Sequence, residues 1–129
     1  HFAALKSVPE SQKKPDLYHK NNVEGTRKLV ACMELHTFSS LNKDFISQYK
    51  NSMKLAETAI IFYDKKTIKH KNMSLISRKM IIKSFNREDL IIFNNTEKLK
   101  KHLHSINFKN TNLLMMSSGN FGGLNLFDL

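Results

Sequence analysis

The sequence predicts an α/β domain, a Rossmann-like three-layer unit with a mostly parallel sheet, and three observations carry that prediction. Four short apolar segments recur along the 129 residues. Stretches with helical periodicity or capping signals separate them. Each apolar segment ends abruptly in polar residues, as buried strands do where they leave a sheet. Alternation of this kind favours parallel strands joined by right-handed crossovers.

The organising stretch is Arg27 to Leu41, RKLVACMELHTFSSL. Leu29 to Met33 is nearly all apolar, the pattern of a strand covered on both faces. It delivers Glu34, Leu35, His36 and Thr37 at its carboxyl end. Asn42 then stands where a helix cap belongs, and Phe45, Ile46, Tyr49, Met53 and Ala56 predict a helix over 43–56. A second strand is expected at Ala59–Tyr63, closing a β-α-β unit.

Residues 64–72 read as a basic loop at the end of that strand. Ser77 caps a helix running to about Phe85, with Ile76 and Ile81 placed for a hydrophobic staple and Asn86 as the stop. Leu90–Phe93 is the third strand. Thr96 is expected to cap a helix that carries Leu99, Leu103 and Ile106 on one face. Leu113–Met116 is the fourth strand, followed by Ser117-Ser118-Gly119-Asn120-Phe121-Gly122-Gly123. Residues 1–26 are expected to be an irregular segment or linker, because Pro9 and Pro15 interrupt any early helix. The domain proper is then 27–129.

Composition narrows the classes. Hydrophobic residues make up 40% and charged residues 25% of the chain, ordinary for one globular domain. No apolar run is long enough to span a membrane, and no leader of the secretory type opens the chain. The single cysteine, Cys32, has no disulfide partner and lies in the first strand. A reducing compartment, the bacterial cytoplasm, is the expected location. The formal net charge of +10 comes from lysines spread over the chain. Such a diffuse excess favours anionic ligands without the arginine-rich or aromatic-interleaved pattern of a specific nucleic-acid binder.

If the sheet is parallel, the strand ends share one rim, and open α/β sheets bind ligands there. His36 is the first candidate, with Lys65 and Lys66 and the serine–glycine turn beside it. The turn SSGNFGG lets backbone approach a ligand closely, yet it is not the dinucleotide fingerprint G-x-G-x-x-G. No G-x-x-x-x-G-K followed by Ser or Thr occurs, so the chain carries no phosphate-binding P-loop. His102 and His104 are two apart on a helix and diverge, which speaks against a metal pair.

Two blocks, LVACMELHTFSSL and TNLLMMSSGNFGGLNL, with SFNREDLIIFNNTEKLKKHL between them, resemble the C-terminal domain of Mur ligases, closest to the murein peptide ligase branch. HFAALK resembles a remnant of the family's His-His-Pro motif, with His1 as its second His. The resemblance implies the amino-substrate domain of an ATP-dependent ligase in peptidoglycan recycling. It would join a peptide to UDP-N-acetylmuramate, with ATP and Mg²⁺ bound mainly outside this stretch. UDP-N-acetylmuramate and a muropeptide would be the partners. His36 falls on the His of the family's P-H-R-x-x-R-like block. Thr37 and Ser40 stand where alanine-adding relatives carry arginines. Ser118, Gly119 and Asn120 fall on the family's G-A-G-D/N turn. The resemblance thus points to His36, Thr37, Ser40, Ser118 and Asn120 as substrate-binding residues, and Lys65 joins them because a basic rim suits a peptide with several carboxylates; no catalytic or metal-binding residue is expected in this stretch. The isolated chain is expected neither to hydrolyse ATP nor to ligate. The alternatives are the alanine-adding ligase domain and a stand-alone basic nucleic-acid-binding module.

Overall fold

A computed structural model describes residues 28–129. The expected linker 1–26 and His1 lie outside the described residues. Four strands run parallel in the order β3-β2-β1-β4. They are β1 (Leu29–Glu34), β2 (Thr58–Phe62), β3 (Ile91–Phe93) and β4 (Asn112–Met116). That order matches the first four strands of the Rossmann arrangement, and its direction reverses between β1 and β4. The α/β reading of the sequence therefore holds.

The helices are α1 (Lys65–His70), α2 (Arg78–Phe85) and α3 (Thr96–Ser105). Alternate residues of the two central strands feed two apolar layers, because side chains in a strand point to opposite faces. Ala31, Ala59 and Ile61 pack with Leu35, Ile46, Met53, Ile81 and Phe85. Val30, Cys32, Ile60 and Phe62 pack with Leu99, Leu103, Phe121 and Leu124 on the other face. Ile60 and Ile61 are fully buried. Each contributes roughly 1.5–3 kcal/mol of transfer free energy. Their near-continuous apolar run is what a strand sandwiched between two helical layers requires.

Helix α2 forms as its sequence directs. The Ser77 hydroxyl accepts from Met80 N at 3.2 Å, and Asn86 closes the helix in the left-handed conformation at φ 54°. Ile76 and Ile81, the expected staple, are both buried.

Three expectations are corrected. The segment 43–56 is not an α-helix: it holds a 3-10 turn at Ile46–Tyr49 and a chain of turns. Asn42 does cap its start, accepting from Asp44 N at 2.8 Å. Tertiary bonds then override the helical period. Asn51 takes φ 63°, its N–H donates to Phe85 O at 3.2 Å, and its side-chain oxygen accepts from Asn86 at 2.9 Å. The apolar residues Ile46, Met53 and Ala56 are still buried, delivered by turns of three residues.

The basic loop 64–72 contains the short helix α1, because the Asp64 carboxylate accepts from Lys66 N at 2.9 Å and caps it. Asn95 rather than Thr96 caps α3, accepting from Lys98 N at 2.9 Å. Among the described residues no helix is long and apolar enough to cross a membrane.

Candidate functional site

Open α/β sheets take ligands in a crevice beyond the strand carboxyl ends where the strand order reverses, a point that falls between β1 and β4. Glu34 and His36 enter it from β1, and Ser117 to Phe121 from β4. Glu34 is the last residue of β1, and its side chain is only 1% exposed. An unpaired carboxylate there would cost several kcal/mol. The chain after β4 supplies the partners. The Ser117 hydroxyl donates a short hydrogen bond to Glu34 Oε2, and the Phe121 N–H donates to the same oxygen at 2.9 Å.

Glu34 Oε1 faces His36 Nδ1 at 3.5 Å. Nδ1 is buried and makes no hydrogen bond, while the imidazole as a whole remains 31% exposed. Gly119 closes over this pair. A Cβ there would lie 2.6 Å from His36 Nδ1 and 2.8 Å from Glu34 Oε2. No side chain fits, so glycine is required here for close approach. The Gly119 N–H in turn donates to Ser117 Oγ at 2.6 Å.

Beside this cluster Cys32 lies fully buried, and its thiol is pushed up to about 12. Burial is the main cause, and the negative charge of Glu34 adds to it. The thiol is an inert core group at neutral pH.

The structure brings together some of the candidate residues and separates others. His36 belongs to the Glu34 cluster. Thr37 is exposed and Ser40 buried, and their polar groups satisfy one another. Ser40 Oγ donates to Thr37 O at 3.1 Å, and Thr37 Oγ1 lies 3.0 Å from Ser40 Oγ. Ser118 and Asn120 are exposed on the turn after β4. The Asn120 side chain accepts from Gly123 N at 3.1 Å, shaping that turn. Lys65 is exposed at the start of α1, beyond the carboxyl end of β2. Lys71 at the end of α1 sets its ammonium 4.1 Å over the Phe38 ring, tying this basic segment to the loop after β1.

Glu34, Ser117 and Gly119 complete the site although the sequence reading did not select them as site residues. One signal was present: an acid ending a strand buried on both faces must find donors. His102 packs its ring 5.2 Å from Phe93. Among the described residues no group of three or more His, Cys, Asp or Glu could hold a metal.

The fold and this crevice define the class as a Rossmann-like α/β unit with its polar cluster at the strand-order reversal. Similarity to known proteins is local and points in one direction. The chain is 56% identical over 36 residues to UDP-glucose 4-epimerase 2 of Oryza sativa. It is 44% identical over 46 residues to the UDP-glucose 4-epimerase of Schizosaccharomyces pombe, and 61% identical over 33 residues to that of Klebsiella pneumoniae. These matches take in 28%, 36% and 26% of this chain, and 9%, 12% and 24% of the relatives' lengths. No family model matches, and no solved structure does.

These relatives are enzymes, and their names overturn the Mur ligase assignment. With it fall the ligase function and both of its alternatives, the muropeptide and UDP-N-acetylmuramate partners, and ATP with Mg²⁺ as cofactors. The physical reason lies in what the resemblance rested on. Its two blocks sit at strand ends, where any parallel sheet places an apolar run followed by a polar turn. Such blocks report architecture more directly than chemistry.

Proposed function

We propose that this chain is part of an epimerase acting on a UDP-sugar, with the β1/β4 crevice as the surface that meets the substrate. The observation that carries this reading is the 44–61% identity to three UDP-glucose 4-epimerases. The rim is consistent with it: an imidazole and the exposed turn that carries Ser118 and Asn120 suit a polyhydroxylated ligand. Lys65, Lys66 and Lys71 lie at the two ends of α1, the helix that follows β2, and their positive charge favours a diphosphate. A reducing, cytoplasmic setting accords with the unpaired Cys32.

Inverting a carbinol carbon whose C–H is not acidic requires a hydride acceptor, the role of a nicotinamide dinucleotide. The described residues do not fit that group. The turn after β1 is Leu35-His36-Thr37-Phe38, without glycine, and leads into turns rather than a helix N-terminus. Gly119 packs against His36 and Glu34, and Gly122 against Thr96. The role proposed for the described residues is therefore sugar-nucleotide binding.

The test is a titration of isotope-labelled chain with UDP-glucose, followed by amide chemical shifts. Shifts at His36, Gly119 and Phe121 are expected, with loss of response in Gly119→Val. Saturation with millimolar UDP-glucose that moves none of these amides would overturn the reading.

A further inference from the structure

The Glu34–His36 pair has one feature that core packing alone does not require. Both donors that satisfy the buried carboxylate, Ser117 Oγ and Phe121 N, bind Oε2. Oε1 is left for the imidazole, 3.5 Å from a buried Nδ1 that has no other partner. A lone pair on Nδ1 facing a carboxylate would be repelled, whereas an N–H there is attracted. Closing the gap by about half an ångström makes an ordinary hydrogen bond. The neutral ring is thereby fixed as the Nδ1–H tautomer, and the lone pair falls on Nε2 at the opposite edge. Because Nδ1 itself is buried, the 31% exposure of the side chain belongs to the rest of the ring. Gly119 leaves the ring its place, since a Cβ there would come within 3 Å of both Nδ1 and Cγ.

We propose that Glu34 and His36 form a carboxylate–imidazole dyad whose Nε2 accepts a hydrogen bond from a hydroxyl of the bound sugar. This rests on the sugar-nucleotide reading for its ligand but not for its geometry. Glu34 is the positioning residue, and His36 is the group that touches the ligand. Ser117 anchors the acid, and Gly119 leaves room for the ring. A hydroxyl-bearing ligand is selected over one that offers only acceptors at this point, since an Nε2 lone pair cannot donate.

The experiment uses the full chain with ¹⁵N-labelled histidines. In the absence of ligand, long-range ¹H–¹⁵N correlations should show His36 as the Nδ1–H tautomer. In Glu34→Gln, whose amide can present an N–H to the ring, that preference should be lost. Added UDP-glucose should shift the Nε2 resonance, and UDP alone should leave it in place. His36→Gln, which sets an acceptor near the Nε2 position, should retain part of the affinity for UDP-glucose. His36→Asn mimics Nδ1 only and should lose about ten-fold.

An Nε2–H tautomer in the free wild-type chain overturns the dyad, whether or not UDP-glucose binds, and needs no folded variant. Binding of UDP-glucose at the rim with an unmoved Nε2 and equal affinities of the Gln and Asn variants overturns the hydroxyl contact. A chain that UDP-glucose perturbs nowhere overturns the sugar-nucleotide reading and the ligand named here, while the free-state tautomer still decides the dyad.

Discussion

The two ends of the sheet treat buried charge in opposite ways. At the amino ends of β2 and β3, the Arg87 guanidinium is fully engaged. Nη1 donates to Met53 O at 2.6 Å and to Ala56 O at 2.7 Å, and Nη2 to Glu57 O at 3.0 Å. Nε and Nη2 also grip Asp89 at 2.7 and 3.0 Å. At the carboxyl ends, Glu34 is anchored on one oxygen, while His36 Nδ1 beside the other makes no hydrogen bond. A saturated network stores stability, whereas the His36 ring is held along one edge only. The difference separates a saturated end of the sheet from the end proposed to meet a ligand, although both are built from a charge at a strand terminus.

The largest effect should come from breaking the saturated end. Arg87→Ala leaves three carbonyls without their donor on a side chain only 14% exposed. A loss of about 3 kcal/mol is expected in urea unfolding, with Tm falling by roughly 10–20 °C. Arg87→Lys should recover little, since an ammonium lacks the planar fork that spans these acceptors. The His36 tautomer should survive in either variant under folding conditions. Near wild-type stability for Arg87→Ala would remove the contrast between the two ends.

The rim should respond next. Gly119→Ala forces a Cβ against His36 and Glu34, and about 2 kcal/mol of stability should be lost as the ring is displaced. The equivalent change at Gly123 meets no atom within 4 Å, but its φ of 88° carries backbone strain instead. Only Gly119→Ala should alter the His36 ring resonances, which separates close approach from strain.

How much of this was legible in the sequence follows from what each feature depends on. The strands were legible because Leu29–Met33 and Ala59–Tyr63 are apolar at consecutive positions, which a sheet covered on both faces demands. Helix α2 was legible from Ser77 and Asn86, whose capping is local. The segment 43–56 was misread because its period is real, yet Asn51 answers to Phe85 and Asn86 across the fold. The position of His36 just past the end of a buried strand was legible, because the apolar run stops at Met33. The roles of Ser117 and Gly119 were not, since they depend on β4 lying beside β1, a pairing between residues more than 80 positions apart. The family was misread for a related reason. Strand-end blocks are shared by many parallel sheets.

Alkaline pH probes the strand that joins core to rim. The Cys32 thiol has its folded value raised from 9.0 to about 12, so the unfolded chain loses that proton first. Stability is unaffected below the unfolded value and falls as pH rises between the two. The loss should reach about 1 kcal/mol near pH 10, and Cys32→Ala should abolish this component. Because Glu34 is the second cause of the shift, Glu34→Gln should move the onset of thiol ionisation downward. Identical alkaline slopes in the wild type and Cys32→Ala would mean that the thiol is not the group responsible.

The smallest effect concerns Asp89 and sharpens the comparison from the structural side. Its carboxyl is held below the usual carboxylate range, first by the hydrogen bond from Arg87; desolvation opposes this, and the attraction of the Arg87 charge adds a lesser pull downward. A depressed folded value means that the unfolded chain takes up the proton first. The stabilisation is therefore present above the usual range and disappears as pH falls through the folded value. The side chain is exposed, so solvent screens the pair and the contribution at neutral pH is slight. Asp89→Asn should lower Tm far less than Arg87→Ala and flatten the acid limb of the stability profile. Arg87 would keep its three carbonyls, which is where its energy resides. A loss in Asp89→Asn as large as that in Arg87→Ala would show instead that the carboxylate holds the guanidinium in place. Saturation of the carbonyls would then be a consequence of the ion pair rather than the source of stability.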